Sequence, residues 1–300
     1  MDIEALNSRF SHAGYVTFKE GPERFPIALI TTPHATAAIT PYGAQLLSYT
    51  FASDHNDLLF LSEKAIFKEG TPIRGGVPIC WPWFGGDPEG KGRSDHGLAR
   101  TRMWHVASSY LLKDQECSIS FELNDTPETY ALWPHRFRLI LKVTVGKQLT
   151  IELTTQNRSE SPFELTQALH TYFTIGNIAH TQITGLEGCT YSDKTDSGAE
   201  KIQTESIYIN AETDRIYSHE GGEIIIRDEA LQRRIRIESE GSRTAVVWNP
   251  WVRVCEQKAD LASEDYKKMI CLETANAGNE IITVEPKASY TLKAVYSLEN

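Results

Sequence analysis

Four segments of this 300-residue chain hold side chains whose chemistry is out of keeping with their neighbours. His170 stands in Gln167-Ala168-Leu169-His170-Thr171-Tyr172-Phe173, an otherwise apolar and aromatic stretch. Histidine is the side chain best suited to give or take a proton near neutrality. The alternative is a core histidine satisfied by hydrogen bonds. Glu273 interrupts the apolar run Met269-Ile270-Cys271-Leu272-Glu273-Thr274-Ala275. A carboxylate on a buried face must be paired or must react, and desolvation raises its pKa toward that of a general base. A half-buried salt bridge is the alternative. Arg74 adjoins Gly75-Gly76 in a segment that continues to Trp81-Pro82-Trp83, which suits a guanidinium reaching an anion with little obstruction. A surface arginine beside a turn, with the tryptophans in the core, is the alternative. Asp95-His96-Gly97-Leu98-Ala99-Arg100-Thr101-Arg102 sets one histidine and two arginines after a Gly-rich loop, as an anion or polyol site would need. A solvated basic turn is the alternative. Together the four supply an acid, a base, cations and aromatic faces. That inventory suits proton transfer on a polyol without a cofactor.

The elements that must position these groups read as strands. Apolar residues alternate at Cys117, Ile119, Phe121 and Leu123, and again at Phe137, Leu139, Leu141, Val143 and Val145. After Gly146-Lys147-Gln148 the period of two resumes at Leu149, Ile151 and Leu153, which predicts a hairpin with one face on the core. Ile235 and Ile237 alternate before the run Ala245–Trp248, and Tyr290, Leu292, Ala294 and Tyr296 mark a last strand. Only 228–234 and 263–268 read as helical, and both are short. Gly85 to Arg93 reads as a polar loop and not a boundary, since strand patterning continues on both sides. The expectation is an all-β chain, one β-sandwich domain over residues 1–300, built of antiparallel strands with few short helices.

Composition narrows the class. Thirty Lys and Arg stand against forty Asp and Glu, a formal net charge of −10, which argues against a nucleic-acid binder or an electrostatic anchor on anionic membrane. No segment approaches the roughly 18 consecutive apolar residues of a membrane span. The N-terminal Met1-Asp2-Ile3-Glu4 is acidic where a signal peptide is basic, so a cytoplasmic location is expected. The five cysteines are scattered with no Cys-x-x-Cys pair, which points away from a disulfide framework or a cysteine zinc site. His-Glu-x-x-His, G-x-S-x-G, P-loop and G-x-G-x-x-G patterns are absent, so neither a metal nor a nucleotide cofactor is expected. No long amphipathic helix or interface stripe is visible, and a monomer is expected.

The combination of Ile73-Arg74-Gly75-Gly76-Val77-Pro78, Trp81-Pro82-Trp83-Phe84-Gly85, His96-Gly97-Leu98-Ala99-Arg100, Ala168-Leu169-His170-Thr171-Tyr172-Phe173, Thr213-Asp214-Arg215, Val247-Trp248-Asn249-Pro250 and Leu272-Glu273-Thr274-Ala275 resembles the aldose 1-epimerase (galactose mutarotase-like) family. Within it the chain looks like the hexose-6-phosphate mutarotase branch. The matching segments run in the family's order, from about Gly43-Ala44-Gln45-Leu46 to Thr274. The resemblance implies a large β-sandwich with the sugar in an open cleft, and interconversion of α and β anomers of a hexose 6-phosphate without a cofactor. It implies Glu273 as general base on the anomeric hydroxyl and His170 as general acid at the ring oxygen. It implies His96 and Asp214 as sugar ligands, and Arg74 and Arg100 as the 6-phosphate clamp, with Gln45 nearby. Members acting on free sugars share the His and Glu without needing a phosphate clamp. An aldose 1-epimerase on unphosphorylated hexoses is therefore one alternative, and a non-catalytic sugar-phosphate binding protein is another.

Overall fold

The computed structural model describes residues 1–299, and its architecture is built from antiparallel sheets. One nine-stranded sheet runs Ile207–Tyr208, Thr181–Thr184, Glu223–Asp228, Arg233–Glu240, Ser289–Glu299, Leu149–Asn157, Phe137–Val145, Cys117–Asn124, His105–Leu111. The alternation seen in sequence is the alternation of burial: odd residues of Phe137–Val145 are buried, and even ones are partly or fully exposed. The predicted hairpin pairs Val145 with Leu149.

An eight-stranded sheet carries the site. Its main path runs Ala199–Ile202, Thr190–Asp193, Thr213–Ser218, Thr244–Asn249, Met269–Asn276, Gln167–Leu169, Ile79–Cys80, with Tyr172–Thr174 also paired to Met269–Asn276. Every residue of Met269–Asn276 is buried, so this central strand is covered on both faces. Ile270 and Leu272 point into the large cluster shared with the nine-stranded sheet. Met269, Cys271 and Ala275 point the other way, into smaller clusters. Glu273 lies on that second face by the period of two. A four-stranded sheet from Val16 to Phe51 packs its apolar residues, Val16, Ile30, Ile39 and Phe51 among them, into the same large cluster.

Two helical expectations met different outcomes. Residues 228–234 are not a helix but the turn of a hairpin, in which Asp228 pairs with Arg233 across the strands. The Asp228 carboxylate accepts from the backbone N–H groups of Leu231 and Gly176, and Gln232 takes a left-handed φ of 53°. An acidic residue that would cap a helix caps a turn instead. The expected helix at 263–268 is one 3₁₀ turn, Asp265–Lys267. The α-helices Ile3–Phe10, Pro127–Leu132 and Trp251–Gln257 carried no signal that the periodicity could separate from loop, being six to eight residues long. All five cysteines are free thiols. Among the described residues no helix is long and apolar enough to cross a membrane.

Candidate active site

Strand register brings His170 and Glu273 together. Gln167–Leu169 pairs with Asn276–Thr274, and Tyr172–Thr174 pairs with Cys271–Met269. The same register carried across the gap sets His170 opposite Glu273. The gap itself is held by the backbone: His170 N–H donates to Pro78 O at 3.0 Å and Leu272 N–H to Thr171 O at 3.3 Å. Next door, Val246 pairs with Glu273 and Trp248 with Cys271, while Asp214 pairs with Trp248. His170, Glu273, Trp248 and Asp214 therefore line one face of adjacent strands.

They open into a cavity of about 290 Å³. His170, Glu273, His96, Asp214, Arg74 and Arg100 all line it, so six of the seven residues expected from sequence meet in one place. Gln45 does not line it. Gln45 is buried and its Nε2 donates to Ile73 O at 3.1 Å and Gly75 O at 2.6 Å, which clamps the backbone on both sides of Arg74. It supports the arginine from behind. Arg102 and Arg93 also lie outside. Arg93 pairs with Asp87 and lies 4.3 Å over the Trp83 ring, closing the polar loop on itself.

The His170 Nδ1 stands 3.3 Å from Glu273 Oε1. Alignment for a protein hydrogen bond is lacking, and Nδ1 and Glu273 Oε2 are buried without partners. Burial pushes Glu273 well above the usual carboxylate range, and Asp214 adds to the rise against Lys194 and Arg100. Burial pulls His170 well below its usual value, with His96, Arg100 and Arg74 pulling the same way. Both shifts favour the neutral pair, carboxylic acid and imidazole, in the protein by itself. The proton then rests on Glu273.

His96 is built differently. It sits at φ 62°, and the following Gly97 has no room for a Cβ against the Trp81 carbonyl oxygen. Its backbone N–H donates to Gly85 O at 2.7 Å, and its Nδ1 accepts from Gly85 N–H at 3.3 Å. That acceptor role leaves the ring proton on Nε2. Burial, then Arg100, Lys194 and Arg74, bring its pKa down to about 3. The imidazole is a neutral donor at neutral pH.

The cations are held to different degrees. Arg74 Nε donates to Asp260 Oδ2 at 3.1 Å and Nη1 to the Tyr172 hydroxyl at 2.9 Å. Arg100 Nη2 donates to Asp95 O at 2.9 Å. Lys194 lies 4.9 Å over the Phe84 ring, with Nζ 3.7 Å from Asp214 Oδ1. Lys258 also lines the cavity. Neither lysine was singled out from sequence, because each sits in a polar stretch like any other surface lysine. Glu212 and Asp95 add negative charge, so four cations and four carboxylates line the cavity. The pocket is charge-mixed and not simply cationic. Among the described residues no group of three or more His, Cys, Asp or Glu side chains is set to hold a metal ion.

A neutral imidazole and carboxylic acid on a sheet face, ringed by donors in one cavity, are suited to proton transfer on a small polar molecule. The chain belongs to the aldose 1-epimerase family, whose model matches residues 26–297. It is an isomerase of the mutarotase kind. A relative from Escherichia coli strain K12, named as a candidate glucose-6-phosphate 1-epimerase, is 34% identical over 274 residues, 91% of this chain and 90% of that one. A relative so named from Cenchrus ciliaris is 34% identical over 262 residues, 83% of this chain and 77% of its own. The crystal structure of a candidate mutarotase from Salmonella typhimurium superposes with a TM-score of 0.90 at 28% identity, covering 99% of both chains.

Proposed function

We propose that this chain is a glucose-6-phosphate 1-epimerase, interconverting the α and β anomers of a hexose 6-phosphate. The observation that carries the reading is the convergence of the His170–Glu273 pair with Arg74 and Arg100 in one cavity. Glu273 takes the proton from the C1 hydroxyl and His170 delivers one to the ring oxygen. The ring opens to the aldehyde, C1–C2 rotates, and closure on the other carbonyl face reverses both transfers. His96 donates from Nε2 to a sugar oxygen, and Asp214 accepts from a ring hydroxyl. Arg74 and Arg100 hold the phosphate, helped by Lys194. No electron or group leaves the sugar, so the route draws on no cofactor. The names of the relatives favour the phosphorylated sugar over the free one.

The whole chain acts as one unit in this reading, since one apolar cluster runs from Leu6 to Tyr296. Five free thiols fit a reducing compartment, and we place the reaction in the cytoplasm.

Exchange NMR on glucose 6-phosphate at anomeric equilibrium tests the reading. The protein should accelerate exchange between the two anomeric resonances. Acceleration for free glucose or galactose alone would select the unphosphorylated substrate instead. Arg74→Ala and Arg100→Ala should each weaken the phosphorylated sugar by about tenfold or more, with little effect on free sugar, since a charge-assisted hydrogen bond contributes about 1.5–3 kcal/mol. Equal effects on both sugars would remove the clamp.

A further inference from the structure

Tyr172 touches both halves of the site and takes no part in the proton transfers. Its ring lies parallel to the His170 imidazole, with centroids 4.8 Å apart and 7° between planes. It is the one stacked pair at the site; Trp248 meets both rings edge-on, at 6.1 Å from His170 and 6.0 Å from Tyr172. The hydroxyl of the same ring accepts from Arg74 Nη1 at 2.9 Å. Asp260 takes Arg74 Nε on the other side, so two of the three guanidinium nitrogens are committed and Nη2 has no protein partner among the described residues. Tyr172 is buried, and its neighbours Phe60, Cys255, Leu261, Tyr266, Met269 and Cys271 fix the ring in place.

His170 needs such a neighbour. Its Nδ1, 3.3 Å from Glu273 Oε1, has no aligned hydrogen-bond partner in the protein to hold the imidazole plane. A ring free to turn about its χ angles would spread the acid over several geometries, and a misplacement of about 1 Å can cost about 10²-fold in rate. The parallel tyrosine face removes that freedom. It also offers a π surface to the imidazolium that forms when the acid is charged.

We propose that Tyr172 is a positioning residue which ties the phosphate arginine to the acid: its face sets the His170 plane and its hydroxyl sets the Arg74 fork. This rests on the hexose-phosphate reading for the Arg74 half, and only on the acid role of His170 for the other. The two halves separate by substitution. Tyr172→Phe keeps the stack and removes the hydroxyl. Tyr172→Leu removes both.

Exchange rates on glucose 6-phosphate and on free glucose, for wild type and both variants, make the test. Tyr172→Phe should raise KM for the phosphorylated sugar by about tenfold or more, the worth of one hydrogen bond to a charged group, with KM for free glucose and kcat little altered. Tyr172→Leu should lower kcat on any sugar that wild type turns over by about 10- to 100-fold. Equal kcat losses in the two variants, or wild-type kcat in Tyr172→Leu, would overturn the stacking role. An equal rise in KM on both sugars in Tyr172→Phe would overturn the link to Arg74. Should wild type turn over only free glucose, the phosphate reading fails while the kcat comparison still decides the stack. A readout independent of turnover is the His170 side-chain resonance, which should stay sharp in Tyr172→Phe and broaden in Tyr172→Leu. A sharp, unshifted resonance in Tyr172→Leu refutes the stacking role whatever the substrate.

Discussion

At the scale of the residue, His170 and Glu273 carry the reaction as proposed and burial sets their protonation. Glu273→Gln and His170→Asn should each lower kcat by about 10²- to 10⁴-fold, the usual weight of a positioned acid or base, with the far-ultraviolet circular dichroism unchanged. Wild-type rates in either variant would end its assigned role. Glu273→Gln has a second expected consequence. The acid is held far above its unfolded value by burial, so above about pH 4.3 the fold must keep a proton that the unfolded chain releases. That cost grows as pH rises, and the amide does not incur it. Glu273→Gln should therefore gain about 1–2 kcal/mol at neutral pH and melt a few degrees higher, as removal of strained catalytic groups often allows. Thermal melts at pH 7 read this directly, and a lower melting temperature would contradict it. His96 has the opposite pH sense. Its folded pKa of about 3 lies below the unfolded value, so the unfolded chain binds more protons over the window from about 3 to 6.5. Stability therefore rises with pH across that window. His96→Gln should flatten the rise in urea denaturation between about pH 4 and 7, and an unchanged slope would count against a neutral His96.

At the scale of the element, register and backbone conformation do the positioning. The gap between Leu169 and Tyr172 keeps step with Met269–Asn276 and so delivers His170 to Glu273. Gly75 and Gly76 have φ of 108° and 62°, and a Cβ on Gly76 would overlap the Leu46 carbonyl oxygen. Gly76→Ala should cost more than about 2 kcal/mol in chemical denaturation and displace Arg74, because left-handed strain and a backbone clash add. A near-neutral Gly76→Ala would mean that the loop relaxes freely. The strands were legible because alternation survives wherever one face meets the core and the other meets water, as at Cys117–Asn124. Met269–Asn276 was legible for a different reason: a strand covered on both faces reads as an unbroken apolar run, and Glu273 showed as its one charged interruption. The turn at 228–234 was misread because an Asp before a short polar stretch serves a helix and a hairpin equally well. Gln45 was drawn to the site by family resemblance and stands one layer behind it, which no spacing in a sequence reveals. Lys194, Lys258, Tyr172 and Asp260 became visible only once the fold brought 172, 194, 258 and 260 around Arg74 and Asp214.

At the scale of the whole molecule, the two large sheets and the N-terminal sheet share one apolar cluster. Unfolding followed by tryptophan fluorescence and by circular dichroism should coincide in a single transition, and separated midpoints would mean that the sheets fold independently. Ser289–Glu299 lies inside the nine-stranded sheet, between Arg233–Glu240 and Leu149–Asn157. A chain ending at residue 288 would strip one neighbour from each of two long strands, split the sheet into two parts, and should not yield a folded, monodisperse protein. The net charge of −10 coexists with a cavity whose four cations balance four carboxylates. Protonation of the buried Glu273 tips that balance toward the positive locally, where the proposed clamp would hold a dianion.

The neutral resting pair of His170 and Glu273 has a consequence for energetics along the proposed reaction. A cyclic sugar needs the charged pair, carboxylate and imidazolium, before it can open. Once it has opened, both transfers are complete and the pair is neutral. That is the arrangement burial already favours at 3.3 Å separation. The resting site is thus matched to the linear aldehyde, the scarcest form of a hexose in water, and mismatched to the abundant rings. In the proposed scheme such a site lowers the bound chain relative to the bound rings, and both directions run through that intermediate.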